Sequence, residues 1–247
     1  MRTQKIRFPN QQAPCVFPGE PAELAQAILH LKLSGGQPVI VLIGGEIDEQ
    51  HAEVSRRGIQ TLSSVAEDLR AVVISGGTDS GVIAEIGQTR RQARQTYPLL
   101  GIAPEELVTW PDGPRNMGFL GLKKKRWPLE SHHSHFMLVP GAHFGDESRW
   151  IVDAASALSR GCASVTILIN GGDASQKDIE LSVGNGRPVI ALGGTGRLAN
   201  ELASEVDRHS LITVVPANAE NRIYAAIREA LSVLESSEPS PSLVSAL

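Results

Sequence analysis

The sequence predicts an α/β protein, a three-layer sandwich in which helices cover both faces of a mainly parallel central sheet. Three observations predict this fold. Short aliphatic runs alternate along the chain with segments of helical periodicity, which is typical of βαβ units. The aliphatic runs contain few polar residues, as expected for strands that are buried on both faces. Four of these runs lead directly into glycine-rich turns, a common strand-to-helix connection in such sheets.

The strands are expected at the aliphatic runs and the helices between them. Expected strands are residues 39–43, 71–74, 99–103, 136–139, 165–169, 189–192 and 211–215. Expected helices are residues 20–33, 53–69, 80–95, 145–159, 175–183, 198–206 and 219–234. In the second of these helices, Ile59, Leu62 and Val65 lie on one helical stripe. Residues 104–134 have no regular pattern, so we expect an irregular connection there.

The length and the local composition favour one domain with two flanking segments. A chain of 247 residues can bury one large α/β core, which we expect at residues 37–235. Residues 1–36 are rich in Pro, Gln and Gly, and we expect them to form an N-terminal extension that packs on the core. Residues 236–247 contain a cluster of Ser and Pro that is typical of a disordered tail.

The composition argues against several classes of protein. A formal net charge of −4 provides no global attraction to nucleic acid or to anionic membranes, so we expect neither as a partner. Cys15 and Cys162 form no metal-binding or redox spacing, which is typical of a reducing compartment. No apolar run approaches the ~20 residues of a transmembrane helix, and no signal-like apolar segment follows the first residues. We therefore expect a cytoplasmic protein with a small ligand. A homo-oligomer is compatible with the fold, although no stripe identifies an interface.

Four glycine-rich turns that follow predicted strands form the candidate ligand site. Turns at the carboxyl ends of neighbouring parallel strands lie side by side, and glycine lets backbone N–H groups approach an anion at a helix N-terminus. The candidate ligand-binding residues are Gly44, Gly45, Gly76, Gly77, Thr78, Asp79, Ser80, Gly171, Gly172, Gly193, Gly194, Thr195, Gly196 and Arg197. Their spacing matches neither Gly-x-Gly-x-x-Gly nor the P-loop, so neither motif assigns the nucleotide.

The side chains in these turns differ in what they can bind. Arg197 begins a predicted helix, where the helix dipole opposes a cation, and its two-pronged donor could hold a pyrophosphate. Asp79 would repel a phosphate unless its carboxylate faces a ribose hydroxyl or only caps the following helix. Thr78 and Ser80 offer hydroxyl groups, and Ser80 is an alternative cap.

The irregular connection and the strand after it contain weaker candidates. His132, His133 and His135 suggest a metal site, but no cysteine or His-Glu helix pairing supports one. Alternate residues entering a strand also point to opposite faces, so we expect no metal. We also expect no required cofactor, only a nucleotide ligand. Asn116 and His135 are candidates to support a nucleotide base, and Arg149 follows a strand at the same edge of the sheet.

Several motifs occur in the order that is found in a known family. They are Ile74-Ser-Gly-Gly-Thr-Asp-Ser-Gly-Val82, Gly101-Ile-Ala-Pro104, His133-Ser-His-Phe-Met-Leu-Val139, Gly171-Gly-Asp173 and Pro188-Val-Ile-Ala-Leu-Gly-Gly-Thr-Gly-Arg197. Over roughly residues 38–203, the chain resembles the cytosolic N-terminal domain of melastatin-type TRP channels and its free-standing bacterial relatives in the SLOG superfamily. The resemblance implies a Rossmann-like fold and recognition of a nucleotide or NAD-derived ligand such as ADP-ribose. Ion conduction is not implied, because the channel is absent.

Two other functions are alternatives to nucleotide binding and sensing. The LOG enzymes of the same superfamily join a Pro-Gly-Gly-x-Gly-Thr turn to a nearby glutamate, whereas this chain has Arg197 in place of that threonine. A nucleotide or nucleotide-sugar hydrolase would use Glu85 or Asp79 as its acid or base. A protein-interaction scaffold would use the glycine turns only for packing, and nucleotides would not raise its melting temperature. We expect a binding protein rather than an enzyme.

Overall fold

The computed structural model describes residues 1–113, 125–205 and 209–232. The strands are β1 (Arg2–Phe8), β2 (Gln11–Phe17), β3 (Val39–Gly44), β4 (Val72–Ser75), β5 (Leu99–Pro104), β6 (Val108–Thr109), β7 (Trp127–Pro128), β8 (His135–Val139), β9 (Ser164–Ile169), β10 (Val189–Gly193) and β11 (Ile212–Pro216). The α-helices are α1 (Leu24–His30), α2 (Ala52–Asp68), α3 (Gly81–Gln92), α4 (Ser148–Leu158), α5 (Asp173–Gly184), α6 (Arg197–Ser204) and α7 (Glu220–Ser232). Short 3-10 turns lie at Pro21–Glu23, Glu49–His51 and Glu105–Leu107.

A mainly parallel sheet forms the centre of the fold and confirms the predicted α/β class. Its nine strands have the order β1-β2-β8-β5-β4-β3-β9-β10-β11. The pairing of β1 with β2 is antiparallel, and the pairings among the other eight strands are parallel. The short strands β6 and β7 form a separate parallel pair inside the expected irregular connection.

Helices cover both faces of the sheet, because each central strand sends apolar side chains to both sides. In β3, Val41 and Ile43 join a core with Ile151 of α4, while Ile40 and Leu42 join a second core with α2. The first core also receives side chains from α1, α5 and α6, and the second from α3 and α7. Within the described ranges, no helix is both long enough and apolar enough to cross a membrane.

The strand order reverses between β3 and β9, which pair directly in the sheet. The chain proceeds outward from β3 through β4 and β5 on one side, and from β9 through β10 and β11 on the other. The connections after β3 and β9 therefore diverge and leave a crevice at the carboxyl ends of these strands, where ligands of such sheets bind.

The first 17 residues form a hairpin that extends the sheet, whereas the sequence analysis placed no strand there and expected only a helix, at residues 20–33, in the N-terminal segment. Cys15 and Val16 of β2 pair with Phe136 and Met137 of β8. Alternate apolar residues of the hairpin enter a third core with Phe136. This period of two is the strand signal that the Pro-rich and Gln-rich composition obscured.

Candidate functional site

The predicted glycine turns meet at the carboxyl edge of the sheet. A Cβ atom on Gly44 would overlap the carbonyl oxygen of Ile169, so the turn after β3 lies directly against the end of β9. A Cβ atom on Gly45 would lie 3.4 Å from Nη1 of Arg197 and 3.8 Å from Oδ1 of Asn170. The turns that follow β3, β9 and β10 are therefore neighbours at the crevice.

The turn after β4 is tied to the same place by the start of α3. Gly81 has a φ of +47°, and a Cβ atom there would overlap the carbonyl group of Gly45. The N–H of Val82 donates to that carbonyl oxygen at 3.1 Å. Gly77 has a φ of +70° and packs against Gly101 of β5, where a Cβ atom would lie 2.8 Å from Cα of Gly101.

A cavity of about 280 Å³ opens beside these turns. The predicted site residues that line it are Gly44, Gly45, Gly76, Thr78 and Ser80. The remaining wall includes residues that the sequence did not single out, namely Trp127, Phe144, Glu147, Ser175 and Asp178. The cavity thus has backbone and hydroxyl groups on one wall, with aromatic rings and carboxyl groups elsewhere.

Arg197 lies at the rim of this crevice. Its backbone has a left-handed φ of +42°, which is strained for a side chain other than glycine. The exposed guanidinium lies against the turn after β9, because a Cβ atom on Gly172 would be 3.0 Å from Cζ of Arg197. Within the described residues, this guanidinium has no hydrogen-bond or ion-pair partner. It is therefore available to an anion that enters between Gly45 and Gly172.

Asn170 and Thr195 join the turns after β9 and β10. The hydroxyl of Thr195 donates to the carbonyl oxygen of Leu192 at 2.6 Å and accepts the N–H of Asn170 at 2.8 Å. Nδ2 of Asn170 donates to the carbonyl oxygen of Thr195 at 3.0 Å. Oδ1 of Asn170 and Nδ1 of His51 are buried without a hydrogen-bond partner in the described chain. Thr195 is fully buried, so it holds the turns in position and does not face a ligand.

The other glycines of these two turns have backbone roles. Gly171 has a φ of +91° and packs against Ser175. Gly194 has a φ of +92°, and its N–H donates to Oδ1 of Asn200 at 2.7 Å. A Cβ atom on Gly196 would lie 3.1 Å from Nδ1 of His51. Gly193 ends β10 and packs against β11.

The expected side-chain cap of α3 is not formed. Ser80 occupies the N-cap position, but no side chain makes a cap hydrogen bond. Oγ of Ser80 instead lies 3.4 Å from Oγ1 of Thr78, and both residues line the cavity. The N–H of Asp79 donates to the carbonyl oxygen of Pro128 at 2.8 Å. Burial and the nearby charge of Glu130 raise the pKa of Asp79.

Glu147 and Asp178 form an acidic wall of the cavity. Burial raises the pKa of Glu147 to about 7, although its Oε2 accepts the N–H of Gly145 at 2.7 Å. Burial also raises the pKa of Asp178 to about 6, and Oδ1 of Asp178 has no hydrogen-bond partner in the described structure. Each carboxyl group therefore keeps its proton to a higher pH than an exposed carboxyl group does, and in the protonated form it can donate as well as accept hydrogen bonds.

A family model described as SLOG in TRPM, prokaryote, matches residues 37–237. The chain belongs to this SLOG family. No curated protein matches it at a significant level.

Several solved structures share the fold of this chain. The structural-genomics target TM1055 is 18% identical with a TM-score of 0.55, and the alignment covers 78% of this chain and 99% of that one. The molybdenum cofactor binding protein from the phototrophic bacterium Rippkaea orientalis is 15% identical with a TM-score of 0.52, covering 78% and 96%. The molybdenum cofactor carrier protein from Chlamydomonas reinhardtii is 16% identical with a TM-score of 0.53, covering 78% and 97%. At these identities the likeness shows the Rossmann-like fold alone.

Three weaker candidates that the structure describes do not line the cavity, namely His135, Arg149 and Glu85. His135 begins β8 and therefore lies at the opposite end of the sheet, where burial lowers its pKa to about 4. Arg149 projects from α4 and donates to Oδ2 of Asp153 at 3.0 Å. Glu85 pairs with Arg56 on α2, with Nε and Oε1 3.2 Å apart. Asn116 lies outside the described residues.

The histidine cluster has a structural role in the SLOG fold. Nδ1 of His132 and Nδ1 of His133 donate to the two oxygens of buried Glu130 at 2.6 and 2.7 Å. Nε2 of His133 lies 2.8 Å from Oγ of Ser75, at the end of β4. Burial alone would raise the pKa of Glu130, but the two imidazoles outweigh it and lower that pKa. This network anchors the connection before β8 to β4.

Some residues of the SLOG site could have been found from the sequence and others could not. Only 4% of the chain is aromatic, so an aromatic residue in a connection near the expected edge is unusual. Trp127 and Phe144 could therefore have been predicted as wall residues from the sequence. Their rings pack edge to face with centroids 5.1 Å apart. Glu147 and Asp178 resemble ordinary surface carboxylates in the sequence, and only tertiary packing shows their burial.

Proposed function

We propose that the carboxyl edge of this SLOG domain binds a small phosphorylated nucleotide, such as ADP-ribose or a related NAD derivative. The observation that carries this proposal is the position of Arg197 against Gly172 and close to Gly45, at the reversal of the strand order. Its guanidinium has no partner among the residues that the structure describes. An always-charged, two-pronged donor beside glycine turns suits a phosphate or pyrophosphate.

The shape of the site favours an extended ligand. Gly45 lines the cavity and also lies beside Arg197, so a ligand with phosphates at Gly45 can reach both regions. Thr78 and Ser80 offer hydroxyl groups to the sugar, and Trp127 and Phe144 offer aromatic surface to a base.

We propose binding without turnover as the function. The hydrolase hypothesis named two carboxylates, Glu85 and Asp79. Glu85 pairs with Arg56, and Asp79 is not among the described residues that line the cavity. A ligand that is recovered intact after incubation would support binding, and recovered fragments would support hydrolysis.

Calorimetric titration with ADP-ribose tests the proposal. The Arg197→Ala variant is expected to bind about 10- to 100-fold more weakly, which corresponds to the loss of one hydrogen bond to a charged group. Arg149→Ala is the matched control, because it removes an exposed arginine of α4 that pairs with Asp153 away from the cavity. The molybdenum cofactor is the comparison ligand, because one of the similar structures is named as its binding protein and another as its carrier protein. Equal affinity of both variants, or no heat with ADP-ribose, would contradict the proposal.

A further inference from the structure

A second and larger cavity, of about 570 Å³, lies at the opposite end of the sheet. Its wall includes Ser164, which begins β9, together with Pro188 and Leu211, which precede β10 and β11. It is therefore at the amino edge of the strands, whereas the glycine turns are at the carboxyl edge. Its volume is within the range of about 300–1,000 Å³ that is typical of small-molecule sites.

Arg187 lines this cavity and is only 3% exposed. Its Nε donates to Oγ of Ser164 at 2.9 Å. Its Nη2 donates to the carbonyl oxygen of Val152 at 3.2 Å and to Oγ of Ser156 at 3.1 Å. Nη1 is buried and has no acceptor in the part of the chain that the structure describes.

The positive charge of Arg187 has no carboxylate partner among the described residues. Asp153 is the acidic residue whose charge acts on it, but that carboxylate is bound by Nε of Arg149 at 3.0 Å. Burial lowers the pKa of Arg187 to about 10, so the side chain remains protonated at neutral pH. The carbonyl and hydroxyl acceptors supply partial charges only.

A buried guanidinium without a counter-ion is costly, and a buried N–H without an acceptor adds about 1–3 kcal/mol. An oxyanion in the adjoining cavity would supply the counter-charge that the guanidinium lacks among the described residues. The cavity also has neutral polar groups at Asn185 and Thr213 and apolar surface at Ile190. Glu229 is exposed and also belongs to the wall, so the part of the cavity beside buried Arg187 is the part that suits an anion.

We propose that this amino-edge cavity is a second ligand site, for a small molecule whose carboxylate or phosphate group accepts hydrogen bonds from Arg187. The two cavities share no lining residue, so this site is separate from the proposed nucleotide site.

Cys162 provides a built-in reporter for occupancy. It lines the cavity and is partly exposed, whereas Cys15 is buried, and burial raises the pKa of the Cys15 thiol. The neutral reagent iodoacetamide should therefore alkylate Cys162 selectively, and mass spectrometry of the peptides gives its rate. The probes are inorganic phosphate and succinate, with sodium chloride holding the ionic strength constant.

Each probe that binds should slow alkylation of Cys162. At four times its Kd a probe occupies four-fifths of the sites, so the rate falls about fivefold if the occupied site is protected. Slowing by phosphate alone assigns a phosphate ligand, and slowing by succinate alone assigns a carboxylate. No slowing by either probe, relative to chloride, would overturn the proposal.

Two variants separate the cavity from other effects of the probes. Arg187→Met removes the charge, and Ala226→Leu fills the cavity from α7 without changing Arg187. Protection should be lost in both, and Ala226→Leu keeps the test decisive where Arg187→Met does not fold. Arg197→Ala should retain full protection, which distinguishes this site from the nucleotide site. Protection that persists in Ala226→Leu would overturn the proposal.

Discussion

Replacing Glu147 by glutamine is expected to stabilise the protein in mildly alkaline buffer and to change its stability little in acid. The pKa of Glu147 is raised from 4.5 to about 7 by burial. Below pH 4.5 the carboxyl group is protonated in the folded and unfolded chains, so its titration does not affect stability. Between the two pKa values the unfolded chain loses this proton first, which favours unfolding as the pH rises. Above pH 7 the penalty is complete.

The size of the effect follows from these two pKa values. Each pH unit between them costs about 1.4 kcal/mol of folding free energy, so the full penalty at pH 8 is about 3 kcal/mol. At pH 5 it is below about 1 kcal/mol. Glutamine carries no charge, and its carbonyl oxygen can still accept the N–H of Gly145. Glu147→Gln should therefore recover up to about 3 kcal/mol at pH 8.

Urea denaturation at pH 5 and pH 8 measures both differences in the free energy of unfolding. The adjacent Asp146 is the matched control, because its exposed carboxylate accepts the N–H groups of Ala142 and His143 at 2.9 and 3.1 Å. Those bonds lower its pKa. Its contribution is present above the unfolded pKa and is lost in acid, so Asp146→Asn should destabilise at pH 8. A loss of stability in Glu147→Gln at pH 8, or an equal gain at both pH values, would refute the reasoning.

Two further predictions concern the turns of the carboxyl edge. Gly81→Ala should cost at least about 2 kcal/mol, since alanine at a left-handed φ is strained and its methyl group would overlap the Gly45 carbonyl. Gly76→Ala should be nearly neutral, because nothing lies within 4 Å of its added Cβ atom. Thermal denaturation of both variants measures the difference. Thr195→Val should lower the free energy of unfolding in urea by about 1–3 kcal/mol, because it leaves the buried N–H of Asn170 without its acceptor. Unchanged stability in Thr195→Val would mean that the hydroxyl does not join the two turns.

The central strands could be predicted closely from the sequence because their burial on both faces leaves a continuous apolar run. All seven expected strands occur, each within one residue of its expected limits. The β1–β2 hairpin was missed because its alternating apolar residues are few and are interrupted by Pro14. Its strand identity depends on pairing with β8, which is more than 100 residues away in the sequence.

The location of the candidate site was predictable, but the composition of its wall was not. Carboxyl ends of parallel strands meet at one edge, so Gly45 and Arg197 could be placed together without coordinates. The same rule excludes His135 from this edge, because it begins its strand. The burial of Glu147 and Asp178 depends on how the connection before α4 packs against α5. No local pattern in the sequence reports that contact.

The bonds that join the turns around the crevice also determine how a ligand would bind. The Thr195 hydroxyl fixes the turns after β9 and β10, and the Val82 N–H fixes the turn after β3 to the start of α3. The turns around the crevice are thus preorganised, and binding a ligand requires little loss of backbone entropy in them. Association of the proposed ligand should then proceed in a single kinetic phase at the edge formed by these turns, with affinity differences among related ligands appearing mainly in their dissociation rates.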